Sequence, residues 1–115
     1  MADQLLEEKV LQFSTDILTL TRQLENLSQP IIARQLLSSA TSIGASVYEA
    51  KNSESRDDFI HKMKISSKEA GETKYWLKLS ANIVKVEQVM FDQLESIHKM
   101  VNKSIITCRK NKGIK

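Results

Sequence analysis

Cysteine, proline and glycine are all scarce in this sequence, and their scarcity excludes several classes of protein. Cys108 is the single cysteine, so an internal disulfide framework and a zinc cage of cysteines are both excluded. A lone thiol is compatible with a reducing cytoplasm. With one proline and three glycines in 115 residues, little in the chain interrupts a long helix. The length suits a single domain with its own core.

Long hydrophobic runs are also missing. No apolar run approaches the roughly 20 residues that a membrane-spanning helix requires. Asp3, Glu7 and Glu8 make the start of the chain acidic, whereas a secretory leader starts with basic residues. We therefore expect a cytoplasmic protein without a membrane partner.

Charge is unevenly divided along the chain. Of the 17 basic and 14 acidic residues, residues 1–50 hold three basic and six acidic ones, and residues 51–115 hold the other 14 basic and eight acidic ones. No acidic residue follows Lys99. This asymmetry favours an anionic partner for the second half, and the alternative is a solvated lysine-rich face.

Apolar side chains recur at helical spacing in four segments. The first is an unbroken heptad seam, in which the spacing alternates between four and three residues. Its members are Leu6, Val10, Phe13, Ile17, Leu20, Leu24 and Leu27. Pro30 after a short polar turn predicts the start of a second helix, and Ser55 with Asp58 forms a capping-box-like start for a third. The four helices are predicted at about 4–26, 30–51, 56–80 and 86–108.

Short polar joints between four amphipathic helices predict an all-α fold, an antiparallel up-down-up-down bundle. The bundle spans residues 1–108, and a basic flexible tail follows at 109–115. Small side chains fill the centres of the second and third helices, which predicts that these two helices pack closely. Gly71 lies inside the third helix and indicates either another tight contact or a position without structural demand.

The middle of the chain resembles a bacterial family of four-helix-bundle proteins. Three segments carry the resemblance: QLLSSATSIGASVYEA at 35–50, SRDDFIHKM at 55–63 and KEAGETKYWL at 68–77. They are similar to proteins encoded within intervening sequences of the 23S rRNA gene. The same fold group includes the accessory variability protein of diversity-generating retroelements.

This resemblance implies a left-handed bundle that assembles into a ring-shaped homopentamer. It also implies a basic surface for nucleic acid, since the retroelement relative binds nucleic acid and its reverse transcriptase. The family has no known catalytic residues, so none is implied here. The chain departs from the family at Ala50, where many members have glycine, and at Gly71, where many have a basic or larger residue.

An enzymatic alternative rests on two pairs with the Glu-x-x-His spacing of di-metal sites in helical bundles. They are Glu95 with His98 and, more loosely, Asp58 with His61. The heptad positions turn all four side chains away from the core, which predicts surface residues and no metal site. Cys108 continues an apolar stripe and is predicted to be a buried hydrophobe. We expect no catalytic residue and no cofactor.

Basic side chains form two zones, one on the third helix and one near the end of the fourth. On the third helix, lysines and one tyrosine recur with the spacing of a single helix face. Such a row can follow a phosphate backbone and stack on a base. The predicted nucleic-acid contacts are Lys64, Lys68, Lys74, Tyr75, Lys78, Lys103, Arg109 and Lys110. The alternative is a solvated face that Glu69 and Glu72 partly neutralise.

Apolar side chains outside the main seams predict contacts between subunits. They are Leu11, Leu18, Trp76, Val89, Met100 and Ile106. The alternative is that each of them broadens the core of one bundle. The sequence thus predicts a non-enzymatic homo-oligomer, a pentamer by resemblance, that binds RNA, DNA or a nucleoprotein. The alternative function is a protein–protein adaptor with no nucleic-acid role.

Overall fold

Four α-helices make up most of the chain in the computed structural model, which describes residues 4–111. They are α1 (Gln4–Asn26), α2 (Pro30–Ala50), α3 (Arg56–Ser80) and α4 (Gln88–Lys110). No β-strand occurs within residues 4–111. Each helix packs on the next one in sequence, and α4 closes against α1. Because the connections are short, neighbouring helices run antiparallel, and the predicted all-α four-helix bundle is confirmed.

A Schellman turn ends α1. The Gln29 amide donates to the Leu24 carbonyl at 2.9 Å, and the Ser28 amide donates to the Glu25 carbonyl at 3.0 Å. Ser28 has a positive φ of 61° in this turn. Pro30 then occupies the first turn of α2, where its missing N–H is not needed.

Ser55 caps the N-terminus of α3, as its spacing to Asp58 predicts. Its side-chain oxygen accepts a hydrogen bond from the Asp58 amide at 3.0 Å. The Asp58 carboxylate accepts in turn from the Glu54 amide at 3.3 Å. The first bond satisfies a backbone donor that the first turn of a helix leaves free, and the second ties the residue before the cap to that turn.

The fourth helix is displaced from its predicted bounds. It begins at Gln88. Val86 therefore belongs to the connection before the helix, and from there it packs half-buried against the core. It continues to Lys110, so Arg109 and Lys110 lie in its last turn and not in a flexible tail. Cations are favoured there by the helix dipole. The remainder of the predicted tail, 112–115, lies outside the described residues.

The core is formed by one buried stripe from each helix. In α1 it is the predicted heptad seam as far as Leu24, whereas Leu27 lies beyond the helix end and is exposed. Trp76, Met100 and Cys108 are half-buried and pack against this core, so each of them broadens it.

Small polar side chains hold α2 and α3 together. Ser66 is fully buried, and its hydroxyl donates to the Ile43 carbonyl on α2 at 3.1 Å. The buried hydroxyls of Thr73 and Ser39 hydrogen-bond to each other at 2.9 Å. A serine side chain reaches the backbone of a neighbouring helix only where the two helices approach closely, as the small side chains predict.

Gly71 differs from the small residues that pack between α2 and α3. It is exposed, and a Cβ built on it would meet no other atom within 4 Å. The expectation of a tight contact at Gly71 is therefore wrong, and the position carries no structural demand.

Candidate nucleic-acid interface

A surface groove between α3 and α4 collects basic side chains from both helices. Its volume is about 460 Å³. Lys64 and Lys68 line it from successive turns of α3, and Arg109 lines it from the last turn of α4. The remaining lining residues are Ser67, Asn102, Ile105 and Ile106. This basic groove brings together three of the predicted nucleic-acid contacts.

The cations of the basic groove have no carboxylate partner within residues 4–111. Four lysines elsewhere in the bundle do form ion pairs: Lys51 with Glu7, Lys62 with Glu49, Lys85 with Glu87, and Lys99 with Glu95. Neither Glu69 nor Glu72 lines the basic groove, and Glu72 accepts a hydrogen bond from the Trp76 indole at 3.1 Å. The positive charge of the groove is therefore available to an anion from solvent.

A three-residue polar network bridges the two helices at the edge of the basic groove. The Ser67 hydroxyl donates to Asn102 Oδ1 at 2.7 Å, and His98 Nε2 lies 3.0 Å from the same Ser67 oxygen. A hydroxyl has one proton to donate. Because Ser67 gives that proton to Asn102, the contact with His98 requires His98 to donate through Nε2.

This hydrogen-bond direction does not suit nucleophilic catalysis. A serine nucleophile needs a base that accepts its proton, and a third group that orients the base. Here the Ser67 proton is directed to Asn102 and not to His98, and no carboxylate within residues 4–111 hydrogen-bonds to His98. The network joins α3 to α4 and orients Asn102, which a binding surface can use.

The other predicted nucleic-acid contacts are spread along the bundle. Lys74 lines a smaller hollow of about 90 Å³ between α3 and α4, next to His98 and Glu95. Tyr75 and Lys78 are exposed further along α3, and the Tyr75 ring meets the Trp76 ring edge-on at 5.0 Å between centroids.

The two remaining predicted contacts lie on α4 outside the basic groove. Lys103 faces a separate cleft of about 470 Å³, which it shares with Arg56 and Met100. Lys110 is exposed in the last turn of α4. The predicted set is therefore one groove with extensions and not one continuous surface.

Sequence reasoning missed Ser67, Asn102 and Ile105 as lining residues. One signal was available, since Asn102 and Arg109 are seven residues apart and so share a helix face. Ser67 lies three residues after Lys64 and belongs to the adjoining strip of α3. Their meeting depends on the register of α3 against α4, which no local pattern contains.

The predicted subunit contacts do not form one surface. Leu11 and Leu18 are exposed on α1 beside α2, where two hollows of about 210 and 240 Å³ lie along one groove. Tyr48 and Leu37 also line this apolar groove, with Gly44 on its floor. The hollow beside Leu18 is bordered by the charged side chains of Arg22, Glu25 and Arg34.

The other predicted subunit contacts lie on other faces of the bundle. Val89 is exposed near the start of α4. Trp76 and Met100 pack against the core, and Ile106 lines the basic groove.

The two Glu-x-x-His-like pairs lie outside the core, but the prediction that all four are surface residues holds only for His61 and Glu95, since Asp58 and His98 are half-buried. The Asp58 carboxylate accepts from the Glu54 amide before α3, His61 is exposed, and Glu95 forms an ion pair with Lys99 at 3.1 Å. No group of three histidine, cysteine, aspartate or glutamate side chains that could hold a metal occurs in the described part of the chain. Among the described helices, none has the length and apolarity needed to cross a membrane.

These features define an all-α antiparallel four-helix bundle with a basic groove on one side and an apolar groove on another. The sequence profile of the family described as 23S rRNA-intervening sequence protein matches residues 3–107, and the chain belongs to this family. The resemblance carried by the middle of the chain is thereby confirmed.

The chain is also similar to the crystal structure of a protein of unknown function from the S23 ribosomal protein family of Bacteroides thetaiotaomicron. The two sequences are 34% identical, the match covers 91% of this chain and 98% of that chain, and the TM-score is 0.83. No curated protein matches the chain significantly.

Proposed function

We propose that this protein is a non-enzymatic, homo-oligomeric scaffold that binds nucleic acid or a nucleoprotein through its basic groove. The observation that carries the proposal is the convergence of Lys64, Lys68 and Arg109 on one groove with no carboxylate in its lining. Unpaired cations along a groove release counterions from a phosphate backbone when they bind it, and this release drives non-specific association.

The homo-oligomeric part of the proposal rests on the apolar groove between α1 and α2. Leu11, Leu18 and Tyr48 are 59%, 41% and 44% exposed there, although each is large and apolar or amphipathic. Exposed apolar patches on a small domain favour association. Five copies, the number implied by the family resemblance, would present five basic grooves and convert weak binding at one groove into strong binding to a long strand.

The test is nucleic-acid affinity as a function of salt, measured by fluorescence anisotropy with labelled RNA and DNA. For the wild type, log K should fall linearly with log salt. Because Lys64→Glu with Lys68→Glu removes two phosphate contacts, the magnitude of this slope for a single strand should drop by about 1.4 per groove. The affinity at low salt should fall steeply as well.

The matched control is Lys51→Glu with Lys85→Glu. It makes the same change in net charge at two exposed lysines outside the groove, whose ion pairs contribute little to stability. Binding that weakens equally in both double variants would reduce the effect to net charge. Binding that ignores salt and both variants would refute the nucleic-acid role.

A second candidate function is a protein–protein adaptor with no nucleic-acid role, and the apolar groove favours it. In that case the groove of Leu11, Leu18 and Tyr48 binds a helix of another protein and not a further copy of this chain. A wild-type chain that is monomeric and retains no nucleic acid at low salt would favour the adaptor over the scaffold.

A further inference from the structure

Besides the cations that would bind phosphate, the basic groove contains an oriented side-chain amide. Asn102 Oδ1 is held by the Ser67 hydroxyl at 2.7 Å, and the Ser67 oxygen is in turn contacted by His98 at 3.0 Å. Within residues 4–111 the Asn102 Nδ2 group has no partner, and Asn102 is exposed in the groove lining. The network thus fixes the amide plane while its N–H donors stay available.

An apolar surface lies beside this oriented amide. Ile105 and Ile106 line the same groove as the cations; Ile105 is buried, whereas Ile106 is 52% exposed. An exposed isoleucine contributes nothing to phosphate binding. It does offer a dry surface to a flat, weakly hydrated ring, and a nucleobase is such a ring. The groove volume of about 460 Å³ lies within the roughly 300–1,000 Å³ typical of sites for small ligands.

We propose that the basic groove is a subsite for one unpaired nucleotide of a single strand. Lys64, Lys68 and Arg109 hold its phosphates, and the base lies against Ile106. The Asn102 amide then donates to an acceptor on the edge of the base. A paired base offers neither its face nor its Watson–Crick edge, so a duplex reaches only the cations. This inference rests on the proposed nucleic-acid function and makes it specific for single strands.

The test measures the affinity of the full chain for two probes at constant salt. One is single-stranded fluorescein-labelled oligouridine, and the other is the duplex that the same strand forms with oligoadenine. Wild type should bind the single strand more tightly than the duplex. Asn102→Ala should weaken single-strand binding about two- to tenfold, the loss expected for one hydrogen bond. Ile106→Ala should weaken it by a similar factor. Neither change alters charge, so the salt slope and the duplex affinity should stay as in wild type.

Two matched controls remove similar groups outside the groove. Gln35→Ala removes an exposed amide from α2, and Ile31→Ala truncates an isoleucine that is 68% exposed. Both should leave single-strand binding unchanged. All four positions are exposed on helices, where alanine favours the helical state, so the variants should fold, and circular dichroism checks this.

The subsite would be overturned if the wild type bound single strand and duplex equally, and if Asn102→Ala and Ile106→Ala bound both probes like wild type. The proposed binding of nucleic acid by the basic groove would not be affected by that result. Absence of binding to either probe would overturn the subsite and the proposed function together.

Discussion

Ser28 has a backbone conformation that is unfavourable for a residue with a side chain. It occupies the left-handed position of the Schellman turn with φ of 61°, where its Cβ approaches the backbone unfavourably. The polar turn before Pro30 was predictable from sequence. The positive φ was not, because glycine is the usual signal for it and the chain has serine there.

Replacing Ser28 by glycine should therefore stabilise the bundle. We expect Ser28→Gly to raise the free energy of unfolding by about 0.5–1 kcal/mol, since relief of the Cβ clash exceeds the entropy that glycine adds to the unfolded chain. Ser28→Val should lower it, because a β-branched side chain is worse in this region. Urea unfolding followed by circular dichroism measures both, and equal midpoints for the two variants would contradict the argument.

At the scale of the element, the sequence predicts the helices well where each of them carries its own pattern. The seam of α1 repeats without a break, so periodicity alone identifies the helix and its buried face. The start of α4 was misplaced because Val86 continues an apolar spacing while it packs from a connection. Its end was misplaced because the basic residues Arg109 and Lys110 suit both a solvated tail and a helix C-terminus.

The candidate site was predictable only in part for a related reason. Lys64 and Lys68 share a face of one helix, and helical spacing is visible in the sequence. Their approach to Arg109 requires the axial register between α3 and α4. That register is set by the packing of whole helices, which no pattern within either helix specifies.

The close contact between α2 and α3 gives a prediction for the element. Ser66 is fully buried and bonds to the Ile43 carbonyl, so a leucine at this position must separate the helices. Ser66→Leu should destabilise the protein by about 1–3 kcal/mol through overpacking. Ser66→Ala, which removes only the hydrogen bond, should cost about 0.5–1.5 kcal/mol.

Ser38→Leu is the control for this pair, since Ser38 is exposed on the same helix as Ile43 and leucine is a better helix former than serine. It should leave the urea midpoint unchanged or raise it slightly. If Ser66→Leu proved as stable as Ser38→Leu, α2 and α3 would not be closely packed at this level.

At the scale of the whole molecule, the two proposed roles, nucleic-acid binding and subunit association, belong to two different grooves. The basic groove lies between α3 and α4, and the apolar groove lies between α1 and α2. The uneven charge of the sequence has the same division, with the excess of basic residues in the half that forms α3 and α4. A subunit can therefore associate through one pair of helices and leave the other pair open to an anionic strand.

Leu11→Glu with Leu18→Glu should separate the subunits without unfolding them. Both leucines are exposed, so the core of one bundle does not depend on them. Light scattering coupled to size exclusion should give about five times the 13.1 kDa of one chain for the wild type and one chain for the double variant. Leu5→Glu with Leu27→Glu changes two leucines of similar exposure outside the apolar groove, and it should keep the wild-type mass.

The variant Leu11→Glu with Leu18→Glu also tests whether assembly strengthens nucleic-acid binding. A long strand bridges several basic grooves of one oligomer, so its affinity should fall steeply when the subunits separate. A strand too short to bridge two grooves should bind the double variant and the wild type alike, because each basic groove remains intact. A wild-type mass of one chain would remove the oligomer, and nucleic-acid binding would then depend on a single groove with no gain from multivalency.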